Sequence, residues 1–134
     1  MGFIVAIAAF RLSFAGGGTD LPSFYNQESG EVVSTTINKY VYVVINSRDH
    51  IFGKGIDDPF SYKFRLSYSD TENVHSADQI SHPIVREALK LLEIDDPLDI
   101  ATMADIPAGT GLGSSGTFSV SLLHALHTLS LIHI

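Results

Sequence analysis

Residues 107–118, PAGTGLGSSGTF, hold four glycines and two serines and then pass straight into an apolar stretch. Glycines at 109, 111 and 113 permit positive φ and let a ligand approach the main chain. Ser114, Ser115 and Thr117 then fall in the first turn of a helix, where N–H groups are unpaired and the helix dipole is positive. Such a junction is physically an anion cradle suited to phosphate. A tight turn with a serine cap is the plainer reading, but a cap needs only one or two of these residues. GLGSSG, residues 111–116, also matches G-x-G-x-x-G, yet a dinucleotide fold wants an acidic residue about twenty positions on. No Asp or Glu follows Asp105. GLGSSGT resembles the outer positions of G-x-x-x-x-G-K-[ST], but the lysine that reaches the phosphates is missing.

The rest of the composition narrows the partners. With 134 residues the chain can bury a core, and 45% hydrophobic against 17% charged residues is a globular balance. A net charge of -7 argues against a nucleic-acid binder, which would carry a basic stripe. An acidic protein that binds anions must do so locally, through backbone N–H groups or a few placed cations. The absence of cysteine excludes disulfides, thiolate metal sites and cysteine nucleophiles. The opening MGFIVAIAAF has no basic leader and is too short to span a bilayer, so no membrane association is expected and the cytoplasm is the expected compartment. His124 and His127 are spaced i, i+3, but no third metal ligand stands near them.

The elements that must carry the loop follow from periodicity. FIVAIAAF reads as a strand continuing through Arg11 to Phe14, broken by AGGGTDLP. PSFYNQE suits a short helix with Pro22 at its start. EVVSTTI and KYVYVVINSR, rich in β-branched and aromatic residues, predict a hairpin turning at Asn38, with Tyr40 and Tyr42 on one face lining the core or a cleft. HIFGKGIDDP reads as a loop and YKFRLSYS as a strand. HPIVREALKLLEI shows helical spacing at Ile84, Ala88, Leu91 and Leu92, with Pro83 in the first turn. PLDIATMADI predicts a strand with Leu98, Ile100, Thr102 and Ala104 on one side. After the glycine loop, Phe118, Leu122, Ala125, Leu126 and Leu129 share a helical face. The order implies α+β, a mixed or antiparallel sheet with helices on one face.

PAGTGLGSS is similar, position by position, to the P-x-G-x-G-L-G-S-S motif of the GHMP kinases, the family of galactokinase, homoserine kinase and mevalonate kinase. The resemblance implies a ribosomal protein S5 domain 2-like fold. It also implies that Pro107, Gly109, Thr110, Gly111, Leu112, Gly113, Ser114 and Ser115 wrap the triphosphate of ATP, with the Ser115 hydroxyl as a hard oxygen ligand for Mg²⁺. A second stretch, RLSFAGGGTDLPSFY, residues 11–25, carries the resemblance independently. Arg11 and Asp20 have the nine-residue spacing of the galactokinase arginine and sugar-binding aspartate, with Thr19 before the aspartate. The Glu-His pair of galactokinases is replaced by Gly17 and Gly18, which argues against galactose. The F-[AG]-GGGTD-P form, together with INKYVYV, RLSYS and HPIVREALKLL, is similar to the branch that phosphorylates D-glycero-D-manno-heptose 7-phosphate at its anomeric carbon.

The implied sugar site is Gly16, Gly17, Gly18, Thr19 and Asp20. A carboxylate such as Asp20 can accept hydrogen bonds from two hydroxyls, and Arg11 can offset phosphate charge or assist the acceptor oxygen. A turn residue is the plainer reading of Asp20, and a salt bridge that of Arg11. Lys39 and Arg65 are candidates for neutralising a substrate phosphate, with solvated positions as their ordinary reading. The expected partners are a sugar phosphate and ATP, with fucose or a uronic acid as alternative sugars and a non-catalytic nucleotide-binding unit as the alternative of another class. Members of the family are longer. The expectation is therefore that residues 1–128 form the N-terminal domain, that the C-terminal domain with the catalytic aspartate is absent, and that this chain turns over no ATP. LSLIHI, residues 129–134, is what a common transposase adapter encodes in one frame, so a non-native tail is one expectation there, and a genuine continuation of the helix, which the apolar pattern also permits, is the other.

Overall fold

In the computed structural model, which describes residues 2–48 and 62–132, five strands form one sheet. The elements are β1 (Phe3–Ala15), α1 (Pro22–Tyr25), β2 (Val33–Ser47), β3 (Phe64–Ser67), β4 (Thr71–Val74), α2 (Pro83–Leu91), β5 (Leu98–Ala104) and α3 (Ser114–Ile132), with a 3₁₀ turn at Ala77–Gln79 before α2. The spatial order is β1-β2-β5-β3-β4. β3 and β5 run parallel and the other neighbours antiparallel, so the sheet is mixed. The expected α+β class holds.

Alternation decides which face is covered. Ala6 and Phe10 of β1, Val41, Val43 and Ile45 of β2, Phe64 and Leu66 of β3, and Leu98 and Ile100 of β5 are all buried on one face. Leu122, Ala125, Leu126 and Leu129 of α3 close over it, joined by Val85, Ala88 and Leu89 of α2. Ser121 of α3, fully buried, donates its hydroxyl to the Ala6 carbonyl at 3.0 Å, so its burial is paired. The opposite face stays apolar and open at Phe3, Val5, Ile7 and Met103.

Three expectations needed correction. The hairpin at Asn38 does not form, and β2 runs unbroken from Val33 to Ser47. Its register with β1 jumps from Ala9↔Tyr40 to Arg11↔Thr36, so Ile37, Asn38 and Lys39 bulge opposite Phe10. A long partner strand lets the polar pair be absorbed as a bulge rather than a reversal. Tyr40 and Tyr42 consequently lie on the face away from the core, with ring centroids 6.4 Å apart, outside the cleft described below. In α2 the buried stripe is Val85, Ala88 and Leu89, while Leu91 is 74% exposed, because the helix turns Val85, Ala88 and Leu89 into the core beside α3. Strand β4, which pairs with β3, gave no period-2 signal in TENV. The HIFGKGIDDP loop lies outside the described residues.

Candidate functional site

The glycine-serine loop begins where β5 ends. Asp105 anchors that end: its N–H donates to the Tyr40 carbonyl at 3.0 Å, and its carboxylate accepts the Tyr40 N–H at 2.8 Å. Gly109, Gly111 and Gly113 then all take positive φ, at 84°, 74° and 74°. Helix α3 starts at Ser114, as the glycine and serine spacing predicts. Its first intrahelical bond is Thr117 N–H to Gly113 O at 2.9 Å, which leaves the N–H groups of Ser114, Ser115 and Gly116 without helical acceptors. No atom lies within 4 Å of where side chains would begin at Gly109 and Gly111. The loop surface is therefore open to an approaching anion.

A cleft of about 580 Å³ opens beside it. Phe10, Val41 and Thr102 lie on the sheet side, Pro107, Ala108, Ser114 and Ser115 on the loop side, and Tyr68, His82 and Phe118 form an aromatic row along another wall. Tyr68 meets His82 edge-on at 5.1 Å, and His82 meets Phe118 at 5.2 Å. The cleft thus combines apolar walls with one cradle of unpaired N–H groups, as small-molecule sites commonly do.

Arg11 joins the two sequence motifs. Its N–H donates to the Leu112 carbonyl at 3.4 Å, and its side chain crosses Gly113. A Cβ at Gly113 would come within 3.0 Å of the Arg11 Nε. The guanidinium is therefore adjacent to the loop, not merely aligned with it in sequence.

Gly16–Asp20 form a separate turn and do not line the cleft. Strand rise places Gly16 roughly 16 Å along β1 from Arg11. Thr19 Oγ1 lies 2.8 Å from Gly16 O and 3.1 Å from Glu31 O, so its hydroxyl closes the turn internally. Asp20 is exposed, and its Oδ1 accepts the Gly18 N–H at 3.2 Å. Gly16 fits against the Glu31 backbone, whereas Gly17 and Gly18 face open space. Lys39 is exposed at the β2 bulge. Arg65 lies on the open sheet face, beside a cavity of about 240 Å³ with Asn46, Ser67 and Asp99, not at the loop.

Mg²⁺ fits here only as a partner of phosphate. Among the described residues no three His, Asp or Glu side chains are grouped to hold a metal. Ser115 offers one hydroxyl at the cleft edge. Such a site suits a cation that retains water and phosphate oxygens as its main ligands.

Sequence reading missed two groups. Gly30 is required because a Cβ there would lie 2.2 Å from Thr19 O. Glu72, in the unrecognised β4, accepts the Tyr68 hydroxyl at 2.6 Å and the Ser81 N–H at 2.8 Å. The hydrogen bond to Glu72, then burial, push the Tyr68 phenol up to about 12. Burial alone would raise Glu72, but the bonds from Tyr68 and Ser81 outweigh it and hold the carboxyl below its ordinary value. The two shifts set a pH window. Glu72, lowered from 4.5, stabilises the fold above that pH, and this is lost as pH falls through its folded value. Tyr68 favours its neutral form, so its contribution is complete below pH 10.0 and disappears toward pH 12. The melting difference between the wild type and Tyr68→Phe should be flat near neutrality and narrow at both extremes. A difference that stays constant from pH 3 to pH 11 would show that the contact does not titrate with folding.

Known proteins share this arrangement. Residues 83–133 match the GHMP kinases N terminal domain. The chain is 29% identical over 123 residues to a D-glycero-alpha-D-manno-heptose 7-phosphate kinase from Campylobacter jejuni, covering 86% of this chain and 34% of that protein. Its fold is similar, with a TM-score of 0.72 and 22% identity, to the crystal structure of a D-glycero-D-manno-heptose 1-phosphate kinase from Bacteriodes thetaiotaomicron, over 91% of this chain and 40% of the other. Mevalonate kinase from Methanococcus jannaschii superposes with a TM-score of 0.66 at 13% identity, over 96% and 41%. The chain thus spans about a third of its curated relative's length. Among the described residues no helix is long and apolar enough to cross a membrane. With α2, β5, the glycine-serine loop and α3 all inside the matched segment, that part of the chain is similar to the N-terminal domain of the GHMP kinases.

Proposed function

We propose that this chain supplies the nucleotide cradle and the sugar-facing turn of a kinase that transfers the γ-phosphoryl group of ATP to the anomeric hydroxyl of D-glycero-D-manno-heptose 7-phosphate. The observation that carries this reading is the loop itself: three left-handed glycines open onto unpaired N–H groups at the start of α3, beside a cleft with apolar walls. Those N–H groups and the helix dipole bind phosphate oxygens. Arg11, lying across Gly113, offsets their charge. The apolar walls take the nucleoside. The Ser115 hydroxyl would help hold an Mg²⁺ bound with ATP, which would supply charge neutralisation at the phosphates. Asp20, with Gly17 and Gly18 leaving space around it, accepts hydroxyl hydrogen bonds from the sugar. The 29% identity to a heptose 7-phosphate kinase favours heptose over other sugars.

Binding is the measurement that reads these residues directly. Titration calorimetry with MgATP should show saturable binding, weakened about tenfold in Ser115→Ala when Mg²⁺ is present and little changed when it is chelated. D-glycero-D-manno-heptose 7-phosphate should bind more tightly than fucose or glucuronic acid. No MgATP binding by the wild type would overturn the kinase reading. Preference for fucose or a uronic acid would transfer the substrate to that sugar, and nucleotide binding without any sugar would leave a non-catalytic nucleotide module.

A further inference from the structure

Glu72 does not line the cleft, yet it grips two segments that do. Tyr68 and Ser69, just after β3, and His82 and Ile84, at the start of α2, come together in the aromatic wall of the cleft. Oε1 of Glu72 accepts the Tyr68 hydroxyl at 2.6 Å, and Oε2 accepts the Ser81 N–H at 2.8 Å. The N-cap residue of α2, His82, makes no side-chain capping bond, so the Glu72 carboxylate is the anion facing that helix start, where the dipole favours it. The contacts continue inward: Tyr68 packs edge-on against His82, and His82 packs against Phe118, on the same turn of α3 that begins with Ser115.

We propose that Glu72 is a positioning residue of the nucleotide cleft: its one carboxylate ties the end of β3 to the start of α2 and so fixes the Tyr68–His82–Phe118 wall, and through it the affinity for a nucleotide seated on the Gly109–Ser115 loop. This rests on the nucleotide reading given above. The lowered proton affinity of Glu72 keeps both oxygens available as acceptors throughout the neutral range. A carboxylate tying a hairpin to a helix could serve stability alone, and a separate readout distinguishes the two roles.

The experiment measures MgATP affinity by calorimetry and ligand-free melting for the wild type, Glu72→Ala, Glu72→Gln and Tyr68→Phe. Glu72→Ala should weaken MgATP about tenfold at temperatures where it is folded, and Tyr68→Phe about threefold, from loss of hydrogen bonds to a charged acceptor. Glutamine can accept from Ser81 and donate to Tyr68, so Glu72→Gln should recover affinity to within about twofold of the wild type. The chain has five tyrosines and no tryptophan, so tyrosinate absorbance reports the contact directly. The phenol, pushed up to about 12 in the wild type chiefly by Glu72, should fall back toward the ordinary range in both Glu72 variants. A folded Glu72→Ala that binds MgATP like the wild type would overturn the proposal, as would a Gln variant as weak as Ala. Should Glu72→Ala fail to fold, unchanged affinity in Tyr68→Phe overturns it instead. No binding by the wild type would remove the nucleotide reading and this proposal together, whereas wild-type binding with unaffected variants removes this proposal alone.

Discussion

Gly113→Ala should reduce MgATP affinity by about tenfold or more, the largest binding loss of any single methyl group in the loop. Two costs coincide at this position. The backbone sits at φ 74°, where an L side chain is strained by about 1 kcal/mol or more. The new Cβ would also lie 3.0 Å from Arg11 Nε and 3.2 Å from Arg11 Cγ, so the Arg11 side chain must shift by a few tenths of an ångström where it crosses the loop. Gly109→Ala and Gly111→Ala carry the first cost without the second, since nothing lies within 4 Å of either Cβ. They should therefore weaken MgATP less than Gly113→Ala does. Removing the obstructing side chain should make the costs overlap, so Arg11→Ala combined with Gly113→Ala should lose less affinity than the sum of the two singles. Calorimetry on the four variants and the double tests this. Equal losses at the three glycines, or strict additivity of the pair, would show that Arg11 does not share the loop with the ligand.

The second large effect is on stability and lies at the Gly16–Asp20 turn. Gly16→Ala places a Cβ 1.8 Å from the Glu31 carbonyl oxygen at φ 81°, and Gly30→Ala places one 2.2 Å from the Thr19 carbonyl oxygen. Both obstacles are backbone atoms, so relief requires the turn and the Gly30–Val32 segment to separate. Each substitution should cost about 3 kcal/mol or more. That corresponds to a melting temperature lower by about 10 °C for a chain of this size. Gly17→Ala should melt within about 2 °C of the wild type, because nothing lies near its Cβ and its φ is not positive. Gly17 is therefore the position at which loss of sugar binding can be read without loss of fold. Calorimetric melting of the three variants decides it, and coincident midpoints would mean that the turn is not closed against Glu31 and Thr19.

What could be read from the chain alone was what is local. Positive φ at Gly109, Gly111 and Gly113 and a helix beginning at Ser114 follow from residue types within one short stretch, because glycine's freedom and the unpaired first turn do not depend on distant contacts. The face formed by Leu122, Ala125, Leu126 and Leu129 follows from helical period in the same way. The resemblance to the GHMP kinases likewise rested on two contiguous motifs. Tertiary structure decided whatever needed a partner from elsewhere in the chain. Asn38 and Lys39 carry polar signals that serve a turn or a bulge equally, and only a β1 long enough to pair beyond them made them a bulge. Leu91 had the right spacing to be buried, but α2 entered the core beside α3 along Val85, Ala88 and Leu89. Gly30 and Glu72 look unremarkable in sequence, since their roles depend on a carbonyl at Thr19 and a phenol at Tyr68 that folding brings to them. Arg11 could be a salt-bridge residue or a site residue until β1 laid it across Gly113, because a side chain's neighbours are set by strand register and packing rather than by its own segment.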